Sequence, residues 1–254
     1  MIFIYMVGTA GSGKSSMTAA MYDWCLRQQF DVITVNLDPG VETLPYTPDV
    51  DVREWISLQE VMNEYELGPN GAQVVCADEV ALNSGEVERR INEYRTDYVL
   101  LDTPGQLELF VFRRTGQVIV DQLSRQQAML SFVIDPSLAT TPTSFISQLM
   151  LSAISQFRIP VPLINVLSKR DIIEPDTLDL ILEWGNNPEK LYDAVMVDAP
   201  SLYYQLSEGM MSVIRNMEAH TDLIPVSNET LEGMEDVYVA VQKIFMGGED
   251  LERT

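Results

Sequence analysis

The 254-residue chain predicts an α/β fold, with a mostly parallel central sheet and helices on both faces. Two observations carry that prediction. Six short apolar runs recur along the chain, and amphipathic helical patterns separate them. The runs are near-continuously hydrophobic rather than alternating, as strands covered on both faces are. Strand–helix–strand alternation of this kind builds a parallel sheet.

In chain order the strands are "IFIYMV" (2–7), "DVITVN" (31–36), "DYVLLD" (97–102), "AMLSFVID" (128–135), "VPLINVL" (161–167) and "DLIPVS" (222–227). Helical patterns cover about 14–29, 56–66, 85–95, 116–125, 143–158 and 230–246. The run Ile159-Pro160-Val161-Pro162 opens the fifth strand, where proline costs no central ladder bond. Between the second and third of these strands, "ELGPNG" (66–71) is turn-prone and leads into the strand-like "AQVVCA" (72–77). Residues 172–221 show no strand and read as a helical insertion on the same sheet, so one domain over 1–254 is expected. The charged tail "GGEDLERT" is expected to fray.

Charge narrows the partners. Sixteen Lys and Arg stand against 38 Asp and Glu, a net charge of -22. A nucleic acid held through a general basic surface is therefore not expected, and an anionic membrane would be repelled. Lysine occurs only at 14, 169, 190 and 243. Cys25 and Cys76 lie in helical or apolar patterns without metal-ligand spacing and read as reduced core residues. The apolar start has no basic segment before it and breaks at Gly8, so it reads as a buried strand rather than a signal peptide. No apolar stretch approaches the roughly 18 residues of a membrane span. The expectation is a soluble, cytoplasmic protein.

The chemistry begins after the first strand. Gly8-Thr9-Ala10-Gly11-Ser12-Gly13-Lys14-Ser15 matches G-x-x-x-x-G-K-[ST], with Ser16 following in the helix. Glycines let successive N–H groups, at Gly11, Ser12 and Gly13, converge on a phosphate with no Cβ in the way. The helix adds the positive end of its dipole. Lys14 is placed to reach β- and γ-phosphates, and the Ser15 hydroxyl to ligate Mg2+. The motif is read as a nucleoside-triphosphate site.

Two strands end in aspartate and a turn, at "NLDPG" (Asp38) and "LDTPGQLE" (Asp102). Ligands in doubly wound sheets sit at carboxyl ends of strands, which makes both aspartates candidates for metal or water contact. Gly105 follows where its N–H could sense a γ-phosphate. Gln106 takes the place of a water-orienting glutamine, with Glu108 a second candidate for holding the water.

After the fifth strand, Ser168-Lys169-Arg170-Asp171 is similar to the guanine motif N-K-x-D. There a carboxylate accepts guanine N1–H and N2–H, a donor pair that adenine lacks. Asp171 is assigned that role and the Lys169 stem is laid along the ring. Ser168 stands in place of asparagine, removing an amide that would bind the base and brace the phosphate loop. Ser227 and Asn228, after the last strand, occupy the place of a backbone contact to guanine O6.

Together "GTAGSGKS", "NLDPG", "LGPNG", "DTPGQLE" and "SKRD", in that order over the whole chain, resemble the GPN-loop GTPases of the P-loop superfamily, above all the compact archaeal type. The resemblance implies a homodimer that hydrolyses GTP to GDP as a molecular switch. It implies that Gly68-Pro69-Asn70 reaches into the partner's site and presents Asn70 to the phosphates. Asp38, Gln106 and Glu108 would position the water, and Ser15 and Asp102, with Asp38 near, would hold Mg2+. Eukaryotic members assist RNA polymerase assembly, so a protein client, related to RNA polymerase, is implied. The alternative from another class is a P-loop kinase transferring phosphate to a small molecule or an RNA end. Such kinases bring several arginines in a lid, whereas 172–221 holds only Arg215.

Overall fold

The computed structural model describes residues 1–124, 127–198, 208–213 and 223–247. Its strands are β1 (Ile2–Val7), β2 (Val32–Asn36), β3 (Val50–Asp51), β4 (Tyr98–Asp102), β5 (Ala128–Ile134), β6 (Leu163–Leu167) and β7 (Leu223–Pro225). All seven are parallel and lie in the order β3-β2-β4-β1-β5-β6-β7. Every residue of β1, β2, β4 and β5 is buried, as continuous apolar strands under two helical layers should be.

The helices are α1 (Lys14–Arg27), α2 (Leu58–Glu64), α3 (Pro69–Leu82), α4 (Ser84–Ile91), α5 (Arg114–Ser124), α6 (Pro142–Arg158), α7 (Pro175–Asn186), α8 (Pro188–Asp198) and α9 (Met234–Met246). Successive β1 side chains point to opposite faces and divide the core in two. Phe3, Tyr5 and Val7 pack into one cluster with Phe110, Phe132 and Phe145. Ile2, Ile4 and Met6 pack into the other with Met17, Met21 and Val237. There Tyr98 accepts a 2.6 Å bond from Gln242 Nε2, while Gln242 Oε1 stays buried without a partner.

Two elements differ from the sequence reading. "AQVVCA" is not a strand but the body of α3, which begins at Pro69. Proline suits the first helical turn because its missing N–H would have no partner there. Ala72, Cys76 and Val80 then bury at four-residue spacing, a period that six residues alone do not display. The two-residue β3 went unseen because it is too short for a hydrophobic run. The GPN tripeptide therefore lies between the third and fourth strands. Within 172–221, α7, α8 and residues 208–213 are helical, while 199–207, 214–222 and the tail from 248 lie outside the described residues. Trp184 of α7 seats beside Phe145 of α6, with ring centroids 6.2 Å apart.

Gly116 marks the tightest helix contact. A Cβ there would lie 2.0 Å from the Phe110 carbonyl oxygen, a backbone atom that cannot swing aside. Gly116→Ala should destabilise the fold by about 1–3 kcal/mol, as overpacking does. Chemical denaturation would show this as a lower midpoint with an unchanged slope.

Candidate active site

A parallel sheet delivers the carboxyl ends of its strands to one edge, and the loops there carry the motifs. β1 runs into the phosphate-type loop at Gly8, whose absent Cβ would sit 2.5 Å from Val133 O. Gly13 holds the left-handed conformation (φ 98°) that starts α1, and no side chain caps the helix. The first amides of α1 thus have no capping side chain, which suits an anion.

Lys14 is buried, and burial pulls its ammonium's pKa down while Asp102 and Asp38 push it back up. Its Nζ donates to the carbonyl oxygens of Gly8 (3.1 Å), Thr9 (3.0 Å) and Gly105 (2.9 Å). The last bond ties the loop after β1 to the loop after β4.

Asp102, ending β4, is 1% exposed. Burial pushes its carboxyl up from 3.8 to about 6, against the opposing pull of Ser15, Tyr46 and Lys14. Tyr46 Oη donates to Asp102 Oδ2 at 3.1 Å. Asp102 Oδ1 is buried with no partner. A buried carboxylate oxygen without a donor, beside Lys14 and the Ser15 hydroxyl, fits a small hard cation.

Asp38 is bound differently. Oδ1 accepts from the Gly40 N–H at 2.9 Å and Oδ2 from the Gly105 N–H at 3.0 Å. Gly105 thus gives its N–H to Asp38 and its carbonyl to Lys14, so its N–H faces a carboxylate in this structure. Gln106 and Glu108 are exposed, Glu108 opening a π-helical turn, Glu108–Phe112.

Across the loop, Ser168 Oγ donates to Ser12 O at 2.8 Å, with Ile134 O at 3.1 Å. The brace to the phosphate loop therefore survives the replacement of asparagine, since a hydroxyl reaches the same carbonyl. Lys169, itself left-handed (φ 56°), lays its Nζ on Gly11 O (2.9 Å) and Asp135 Oδ2 (2.7 Å). Burial raises the Asp135 pKa, but Lys169 and the Ser137 hydroxyl and N–H outweigh it and the net shift is down. Asp171 is exposed. Ser227 Oγ accepts from the N–H groups of Glu229 and Thr230, which fixes the turn carrying Asn228. Ser16 and Asn228 both line a cavity of about 510 Å³.

A family profile described as "Conserved hypothetical ATP binding protein" matches residues 6–247. The chain is 30% identical over 238 residues to a GPN-loop GTPase of Pyrococcus abyssi, covering 93% of this chain and 94% of that one. The chain belongs to the GPN-loop GTPase family. The crystal structure of the Pyrococcus abyssi GTPase in apo form matches with a TM-score of 0.87 at 28% identity, over 96% of this chain and 97% of that one. GPN-loop GTPase 1 of Schizosaccharomyces pombe is 31% identical over 251 residues, with 94% of this chain and 67% of that protein covered. The chain spans 62% of the length of GPN-loop GTPase 1 of Dictyostelium discoideum.

The family's signature tripeptide caps α3. Gly68 is its extended N-cap, and Gly68, Pro69 and Asn70 are all exposed. One turn on, Gln73 turns back toward the site. A Cβ on Gly40 would meet Asp38 Oδ1 at 3.3 Å and Gln73 Nε2 at 3.4 Å, so both side chains crowd the Gly40 backbone. Gln73, Tyr46 and Asp135 escaped sequence reasoning because none lies in a contiguous motif. Arg53 escaped likewise: it forks onto Asp51, with Nη2–Oδ2 at 2.6 Å, and holds Val41 O at 3.1 Å, anchoring the loop that carries Asp38. Arg113 bonds both Asp78 oxygens of α3 at 2.8 Å.

Asp102→Asn should stabilise the ligand-free protein. The native carboxyl titrates above its unfolded value, so ionisation opposes folding. The wild type is at no disadvantage below pH 4 and loses stability as pH rises through about 6. Thermal unfolding should show the variant ahead by roughly 1–3 kcal/mol at pH 7.5 and level with wild type at pH 4.

Proposed function

We infer that this chain binds GTP with Mg2+ at the loop 8–15 and hydrolyses it to GDP and phosphate, working as a homodimeric switch in the cytoplasm that serves the assembly of protein complexes. One observation carries the reading: Lys14 is drawn in by three carbonyl oxygens while Asp102 keeps a buried oxygen with no partner. Both are groups that a metal-bound triphosphate would satisfy. No helix among the described residues is long and apolar enough to cross a membrane.

In the reaction, water attacks the γ-phosphorus in line, the bond to the β–γ bridging oxygen breaks, and GDP leaves. Lys14 and the amides of Gly11, Ser12 and Gly13 stabilise charge gathering on the phosphate oxygens. Lys14 exchanges the Gly105 carbonyl for phosphate. Asp38, through its hold on the Gly105 N–H, sets where the 105–108 segment stands, and Gln106 and Glu108 orient the water. Mg2+, held by Ser15 and Asp102, would neutralise phosphate charge. Among the described residues no cluster of three or more His, Cys, Asp or Glu is placed to hold a metal, so Ser15 and Asp102 would share it with the nucleotide and water.

Guanine selection falls to Asp171, whose exposed carboxylate accepts the N1–H and N2–H pair. Asp171→Ala should weaken GTP binding roughly 10- to 100-fold and leave ATP binding unchanged, a hydrogen bond to a charged group being worth about 1.5–3 kcal/mol. Competition binding with both nucleotides reads this directly. A variant that keeps its preference for GTP removes Asp171 from the base site.

The exposed Gly68-Pro69-Asn70 start of α3 supports delivery of Asn70 to a second protomer's phosphates, as the family resemblance implies. Asn70→Ala should bind GTP normally and hydrolyse it at least about tenfold more slowly, as loss of a charge-stabilising donor costs. Mixing it with Lys14→Ala should restore activity, because one site of the mixed dimer has both residues intact. A mixture no more active than its parts refutes the exchange.

A further inference from the structure

We propose that the Asn228 side chain donates a hydrogen bond to N7 of the guanine ring, supplying the base contact that Ser168 cannot make. The proposal rests on the reading of GTP as ligand. In the motif N-K-x-D one asparagine amide both braces the phosphate loop and binds the base. Here the two tasks fall to different residues.

Ser168 is wholly buried and has a single O–H, already directed at Ser12 O (2.8 Å) and Ile134 O (3.1 Å). It has no donor left for a ligand. Asn228 flanks the same glycine. A Cβ on Gly13 would lie 3.6 Å from Asn228 Nδ2 and 3.8 Å from Ser168 Oγ. Asn228 Oδ1 is buried without a partner, and no described residue accepts from its Nδ2. Ser227 holds the turn in place through two backbone N–H groups, so the carboxamide is fixed at low entropic cost. Nδ2 is therefore free to donate to a ligand, whereas Oδ1 is an acceptor and needs a donor other than N7.

Purine geometry names the partner atom. With N1–H and N2–H on Asp171, the opposite edge of the ring turns toward the phosphate loop, and N7 on that edge is an acceptor only. Nδ2 is the matching donor. Adenine also carries N7, so Asn228 adds affinity for a purine while Asp171 retains the discrimination.

The test is a cycle between residue and atom, using GDP and 7-deaza-GDP, in which C–H replaces N7. Wild type should bind 7-deaza-GDP roughly tenfold more weakly than GDP, the loss of one hydrogen bond. Asn228→Ala should bind GDP that much more weakly and no longer distinguish the two ligands. Asn228→Asp keeps the shape without the donor and should also lose the distinction, which separates a lost bond from a disturbed turn. Variants that retain the full 7-deaza penalty, or a wild type that shows none, overturn the proposal alone. A wild type that binds ATP but no guanine nucleotide overturns the underlying reading with it.

Discussion

A buried ammonium ion must find oxygen partners, and the site is organised around how Lys14 finds them. Two of its three acceptors belong to its own loop and the third is Gly105 O, three strands on in the chain but after the strand adjacent in the sheet. The Gly105 peptide passes the constraint on, since its N–H is held by Asp38. One side chain thereby couples the loops after β1, β2 and β4. A triphosphate would offer Lys14 charged oxygens in place of a carbonyl, and the bonds through Gly105 and Asp38 are what the proposed switch would act on.

Further ties spread the coupling outward. Asn36 Nδ2 bonds both Asp38 O (3.1 Å) and Asp51 Oδ1 (2.9 Å), and Asp51 is forked by Arg53. Arg53 holds the Asp51 carboxyl below its usual range in spite of burial, which raises it. On the other flank, the Arg113–Asp78 fork fastens the helix that begins with the GPN tripeptide to the segment that follows Gln106 and Glu108. The pair thus ties the segment after the β4 loop directly to α3. A half-exposed pair of this kind contributes little stability by itself, so its value lies in geometry.

Much of this was legible in the chain because the chemistry is written contiguously. Loop 8–15, Asp38, Asp102 and the 168–171 segment each sit where a predicted strand ends, and the parallel sheet brings those ends to one edge. What stayed hidden depends on contacts between distant segments. Tyr46 meets Asp102 across 56 residues and Lys169 meets Asp135 across 34, with no local pattern announcing either. The identity of α3 was lost to a different cause: six residues of mixed β-branched and small side chains carry no period, and the deciding burial at Ala72, Cys76 and Val80 is tertiary. Ser168 shows that role can outlast residue type, since a hydroxyl bonded to Ser12 O does the bracing expected of an amide.

The central claim is that the three carbonyls around Lys14 stand where phosphate oxygens compete for the same ammonium. A crystal structure of the protein with Mg2+ and a non-hydrolysable GTP analogue tests it directly. The account predicts Lys14 Nζ bonded to β- and γ-phosphate oxygens, its bond to Gly105 O broken, and the guanine seated on Asp171. Phosphates bound elsewhere, with Lys14 still held by Gly8, Thr9 and Gly105, would contradict it.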